Sequence, residues 1–245
     1  MHALATIALV AALAGPQDFV RTDESDLLSF SYGWPAAAEQ EPVLRGRLAA
    51  EMESALRQAR DSAAEDRGAR QGSELPFNAH SYERRWELAG LTPRLLSLVT
   101  ESSAYTGGAH GSVETAAILW DRPRGVAVQP AGLLGDLAME RIEPLYCAAL
   151  DALRSEKRGE PVRRDPSDGF TTCPPLAEQV IAPADKDRNG RFETLQILLA
   201  PYVAGPWVEG SYVVEVPLEM THLDAMEAAF RPSFEPAAHL AGERG

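Results

Sequence analysis

The sequence predicts an α+β fold, with two main helices set among short strands. Three observations carry that expectation. From Glu39 to Arg67, Leu44, Leu48, Met52, Leu56, Ala59 and Ala63 recur at three- and four-residue steps, which places them in one apolar stripe on a helix. From Leu133 to Lys157, Leu134, Leu137, Ile142, Leu145, Ala149 and Leu153 form a second stripe. Between the helices, Leu95–Trp120 has two arms rich in β-branched and apolar residues around Thr106-Gly107-Gly108-Ala109-His110-Gly111. That pattern reads as a β-hairpin or a tight strand-loop-strand.

Other strands follow from shorter runs. Leu27–Tyr32 reads as a first strand, stopped by Gly33-Trp34-Pro35. In Asn78–Leu91, Tyr82, Arg84, Trp86 and Leu88 alternate, with Tyr82, Trp86 and Leu88 on the core face. Val126–Val128 is a short strand after the Asp121–Gly125 turn. Pro144 inside the second helix predicts a kink or two shorter helices, and Gly159 closes it. Leu176–Ile181 is a short segment, and Asn189-Gly190 is a two-residue hairpin signal with Phe192–Leu199 as the outgoing strand. Tyr212–Val216 is a strand, Met220–Phe230 a final short helix, and Gly242–Gly245 a loose tail.

The chain has 245 residues, of which 45% are hydrophobic, enough for one good core or two small subdomains sharing a sheet. Its net charge of -13 disfavours nucleic acid and anionic lipid as partners and favours basic proteins and cations. The apolar run Ala3–Ala14 is shorter than the roughly 20 residues that span a bilayer. It fits the core of a secretory signal, with Ala12-Leu13-Ala14 as the cleavage site, although only Met1 and His2 precede it. The alternative is an apolar N-terminus or a first core strand. Residues 1–14 are therefore expected as a signal peptide and 15–26 as a tether, with the protein periplasmic or secreted and not integral to a membrane. Cys147 and Cys173 either form one disulfide or stay as two separate buried thiols.

Two stretches suggest sites. In the Gly-rich connection, Tyr105 and His110 flank Gly107 and Gly108, and either the loop is a structural turn or it touches a partner. It has neither a Walker lysine nor GxGxxG spacing, so it is not read as a phosphate cradle. In Asp185–Leu199, Asp185, Asp187 and Asn189 alternate, Gly190 is sixth, Arg191 seventh and Glu193 ninth, as in a calcium loop. Gln196 stands at the twelfth position, where such a loop has a bidentate Glu. The alternative is an Asp-rich turn whose carboxylates accept backbone N–H groups. His80 reads as a loop residue without a ligand partner.

The motifs YTGGAHG at Tyr105–Gly111 and PYVAGPWVEGSYVVEVP at Pro201–Pro217 stand together, separated by a strand and a helix. The combination resembles a family of bacterial envelope domains. That family includes the extracellular part of the lysozyme-sensing anti-sigma factor (RsiV-like) and the N-terminal, non-catalytic domain of a peptidoglycan deacetylase (PdaC-like). The resemblance spans about Leu27–Leu218. It implies an antiparallel curved sheet in two halves: 27–125 resembling the PdaC-like domain, and 126–218 a helix-plus-sheet half resembling the RsiV-like domain, with 219–245 as a tail. No transmembrane span is read ahead of the domain, and the Asp/His metal pattern of a deacetylase is not visible.

Three functions compete. One is a non-catalytic envelope module binding a cell-wall glycan or a basic protein such as lysozyme, with Tyr105, His110, Tyr202 and Trp207 as contacts. A second is a calcium-stabilised structural domain without an independent ligand. The third is a cell-wall hydrolase, which the sequence supports least because it holds neither GxSxG nor HExxH.

Overall fold

The computed structural model describes residues 17–72, 74 and 76–238. The expected signal peptide and the Gly242–Gly245 tail lie outside them. In chain order the strands are β1 Phe19–Glu24, β2 Leu28–Trp34, β3 His80–Arg85, β4 Glu87–Leu91, β5 Leu95–Tyr105, β6 Ser112–Asp121, β7 Val126–Val128, β8 Val180–Ala184, β9 Thr194–Leu199 and β10 Tyr212–Pro217. The helices are α1 Ala36–Glu39, α2 Pro42–Ala69, α3 Pro130–Leu134, α4 Asp136–Arg158 and α5 Met220–Leu223. A seven-stranded sheet runs β1-β2-β3-β5-β6-β7, with β4 also paired to β5, and a three-stranded sheet runs β10-β9-β8. This is the expected α+β class.

The expected hairpin is formed by β5 and β6, and it divides the molecule. Their side chains alternate across the sheet. Leu96, Leu98, Ile118 and Trp120 join α2 and the β2 residues Leu28, Phe30, Tyr32 and Trp34 in one core. Leu95 and Leu119 join α4, the small sheet and the chain's last aromatics in a second core. From the α2 stripe, Leu44, Leu48, Met52, Leu56 and Ala63 are buried. The Trp86 indole Nε1 donates to the Tyr32 hydroxyl at 3.0 Å, so this buried donor is satisfied inside the first core. Among the described residues, no helix is long and apolar enough to cross a membrane.

Several expectations are corrected. The stretch 15–26 is not simply a tether, because β1 pairs with β2 along its whole length and Phe19 stacks on Trp34 at 3.9 Å. The large sheet is mixed, because β2 and β3 are parallel. The reason is that α2 carries the chain back over the sheet as a crossover connection. The strand expected over 78–91 is broken at Trp86, and β4 contains a register shift at Leu88/Gly90, which leaves Leu88 46% exposed. His80 is buried at the start of β3, with Nε2 3.4 Å from Asp66 Oδ2.

The second helix divides at Gly135, not at Pro144, which lies inside the continuous α4. The buried row of α4 is Ala138, Ile142, Tyr146, Leu150 and Arg154. Leu137 and Leu145, expected in the stripe, are 50% and 41% exposed. The buried row repeats every four residues and includes a tyrosine and an arginine, whose polar ends disguised it. Ala184 pairs with Thr194, so 185–193 is one long loop and not a two-residue turn at Asn189-Gly190. The final helix is confined to α5, but the stretch beyond it is packed: Met226, Phe230, Phe234 and Ala237 are buried. Cys147 and Cys173 form a disulfide that fastens α4 to the chain ahead of β8.

Candidate functional site

The two motif segments meet at an exposed aromatic cluster. His110, in the β5–β6 loop, stacks on Trp207 with centroids 4.5 Å apart. Tyr202 lies 6.5 Å from His110 and 6.0 Å from Trp207. His110 and Tyr202 are exposed, Trp207 is half-buried, and Val208 beside it is 88% exposed. The His110 Nδ1 donates to the Gly111 carbonyl at 2.8 Å, which sets the ring direction. Gly107, with φ +84°, turns the loop where an L side chain would be strained, and Gly108 is exposed near its tip.

Tyr202 adopts φ +72°, a left-handed conformation that costs a tyrosine of the order of 1 kcal/mol. The surroundings impose it. The Tyr202 N–H donates to the Gly205 carbonyl at 3.0 Å, and the Val203 N–H to the Ala200 carbonyl at 3.2 Å. The end of α4 then pins the segment. Arg154, fully buried, donates from Nε to the Ala204 carbonyl at 2.8 Å. Arg158 grips the Glu209 carboxylate with Nε at 2.9 Å and Nη2 at 3.0 Å. Lys157 Nζ reaches the Glu209 carbonyl at 2.6 Å and the Ser211 carbonyl at 2.8 Å. The Tyr212 hydroxyl also donates to Glu209.

Burial alone would raise the Glu209 carboxyl, but the bonds from Arg158 and Tyr212 outweigh it and hold the group below its ordinary value. Burial, followed by the hydrogen bond to Glu209 and then its charge, pushes the Tyr212 phenol up to about 12. A Cβ on Gly205 would stand 2.1 Å from Glu209 Oε2, so only glycine lets this carboxylate approach. The result is a rigidly held loop presenting two aromatic rings toward a third.

Of the four aromatic and imidazole contacts expected, the structure brings together His110, Tyr202 and Trp207. Tyr105 instead lines a cavity of about 500 Å³ with His80, Tyr82, Arg84, Glu51 and Glu114. Sequence reasoning missed the anchoring set Arg154, Arg158, Glu209 and Tyr212. Its signal was the four-residue spacing of Arg154 and Arg158 on one face of α4.

In the 185–193 loop, the second stretch that the sequence singles out, three acidic side chains come together. One carboxylate oxygen from each of Asp185, Asp187 and Glu193 lies within 4.8 Å of the others. The Asp185 carboxylate accepts from the Asn189 and Gly190 N–H groups at 3.0 and 2.9 Å. The Arg191 N–H donates to Asn189 Oδ1 at 3.0 Å. Burial pushes the Glu193 carboxyl up, against the bonds it accepts from the backbone N–H of Lys186 and the Thr194 hydroxyl. Gln196 lies in β9 and donates to Glu215 at 3.3 Å.

Residues 21–113 match the family model described as deacetylase PdaC. The match runs from within β1 through β5 and the Thr106–Gly111 loop to the start of β6, and stops before the Tyr202–Trp207 segment. No curated protein matches the chain. Among solved structures, the chain is similar to a DUF3298 family member from Bacteroides fragilis NCTC 9343, at 12% identity and a TM-score of 0.57, covering 89% of this chain and 95% of that one. It is also similar to a DUF3298 family protein from Pseudomonas aeruginosa PAO1, at 16% identity and a TM-score of 0.49, covering 90% and 94%. The first likeness is one of fold. Over residues 21–113 the likeness is to a PdaC-type domain.

Proposed function

We propose that this chain is an exported, non-catalytic envelope domain that binds a cell-wall glycan on the His110–Tyr202–Trp207 cluster. The observation that carries this reading is the convergence of two distant segments into one exposed aromatic surface, with Tyr202 held in a strained backbone. Backbone strain at a solvent-exposed aromatic marks positions where structure serves contact more than stability. Rings of this kind offer large, rigid contact area to the apolar faces of sugars at small entropic cost. The Cys147–Cys173 disulfide supports an oxidising compartment and so a periplasmic or secreted location.

A second reading rests on charge. At -13, the chain attracts basic proteins such as lysozyme, and Tyr202, Trp207 and Val208 would then form a small apolar patch for such a partner. Titration of the full chain with soluble peptidoglycan fragments, and separately with a basic lysozyme at low and high salt, separates the readings. Saturable glycan binding that is lost when both Tyr202 and Trp207 are changed to Ala supports the first. Salt-resistant lysozyme binding lost in the same variant supports the second. Retained binding of both ligands removes the cluster as the site.

A further inference from the structure

We propose that the β8–β9 loop is a calcium site held by Asp185, Asp187 and Glu193, and that the bound cation clamps the small sheet against the edge of the large one. Three acidic side chains on one loop are not in themselves a site. The further observation is Glu193. Its residue is only 7% exposed, and its Oε2 is buried without a hydrogen-bond partner, while Oε1 accepts from the Lys186 N–H at 2.9 Å and from Thr194 Oγ1 at 3.2 Å. A buried carboxylate oxygen with no donor is costly to leave unpaired. It belongs to the group whose oxygen lies within 4.8 Å of those of Asp185 and Asp187. A hard divalent cation is the partner that three converging carboxylates call for.

The ligand inventory suits calcium more than magnesium. Beyond the three carboxylates, Asn189 Oδ1 and the Arg191 carbonyl stand at the fifth and seventh positions of the loop, an all-oxygen, flexible set. Magnesium binds more often through one or two carboxylates and retained water. The absence of a carboxylate at Gln196 places affinity in the range of extracellular calcium modules, a Kd of about 0.1–1 mM.

The loop's position gives the cation a structural consequence. The Asp185 N–H donates to the Ala89 carbonyl of β4 at 2.9 Å. Gly90 is packed so closely that a Cβ there would meet Asp185 Cβ at 2.8 Å and Phe192 Cε1 at 2.7 Å. On its other side the loop reaches the C-terminal segment: Phe192 bridges to Phe234, and Asn189 Nδ2 donates to Glu235. Ordering this loop therefore ties β4, the small sheet and the last described segment together. The site is separate from the aromatic cluster, so either proposal can fail without the other.

The test is thermal unfolding of the full chain in EDTA, in calcium chloride and in magnesium chloride, with calorimetric titration of calcium chloride. At about 2 mM calcium and a Kd of about 0.1 mM, the melting temperature is expected to rise by about 4–7 °C, with a smaller rise in magnesium. The exposed Asp187→Asn variant keeps the fold in EDTA and loses most of that rise, and Glu193→Gln loses it as well. An unchanged melting temperature together with no titration heat would overturn the proposal. So would a calcium response that persists in both variants.

Discussion

The His110 imidazole stacks on the Trp207 indole with ring centroids 4.5 Å apart, and it does so across two chain segments that share no strand pairing. The β5–β6 loop brings the first ring from the large sheet. The α4-anchored segment before β10 brings the second from the small sheet. A binding surface built this way depends on how firmly each loop is held.

The first expectation concerns Tyr202. Its φ of +72° strains the backbone, and its ring is 55% exposed, so the side chain contributes little packing. Tyr202→Gly removes the strain and is expected to leave stability unchanged or raise it by up to about 1 kcal/mol, while weakening glycan binding. Differential scanning calorimetry checks the first part. A clear fall in melting temperature would show that the ring packs the fold and is not held out for a ligand.

Arg158 acts at one remove from the surface. Arg158→Ala leaves the half-buried Glu209 carboxylate without its main partner, at a cost of about 1.5–3 kcal/mol. Because Trp207 lies in the same short turn as Glu209, glycan affinity is expected to fall as well, although Arg158 is not one of the clustered rings. Arg158→Lys restores charge but not the two-pronged grip, and should recover only part of both losses. Full affinity in Arg158→Ala would show that the loop needs no anchor from α4.

The disulfide closes a loop with a sequence separation of 26 residues. By the chain-entropy argument it stabilises the fold by about 3–4 kcal/mol. The Cys147→Ser/Cys173→Ser double variant is expected to melt about 10 °C lower, by circular dichroism. A shift of about 2 °C or less would mean that the second core already holds α4 in place.

His222 gives the fold a pH dependence. It is buried in α5, where its Nδ1 accepts the Glu219 N–H at 3.0 Å. Burial lowers its pKa from the ordinary 6.5, and nearby Arg141 adds to this against the opposing charge of Glu219. A lowered histidine pKa means that stability is fully present above 6.5 and is lost as pH falls from there through the lower folded value. Denaturant unfolding of wild type and His222→Gln at about pH 7.5 and about pH 5.5 should show a smaller acid loss in the variant. Parallel losses would mean that other groups set this limb.

What the sequence revealed and what it hid divide along physical lines. The α2 stripe and the Leu95–Trp120 hairpin were legible because their apolar periodicity is local. The Tyr105–Gly111 and Pro201–Pro217 motifs were legible as segments, and three of their four proposed rings meet. Tyr105 does not, because the end of β5 turns it toward α2. β1 was invisible because FVRTDE alternates weakly and owes its place to Phe19 on Trp34 and to ion pairs such as Arg60–Asp23. The buried row of α4 was misplaced because Tyr146 and Arg154 look like surface residues until the carbonyl of Ala204 takes up the guanidinium. The parallel β2–β3 pair could not be read locally, since it depends on the route α2 takes across the sheet.

The decisive measurement is calorimetric titration of soluble peptidoglycan fragments into the full chain and into its Tyr202→Gly/Trp207→Ala variant, at low and high salt. Saturable, salt-insensitive binding by the wild type, weakened at least about tenfold in a variant of unchanged melting temperature, is the expected result. Equal affinity in the two proteins would contradict a glycan surface at the aromatic cluster.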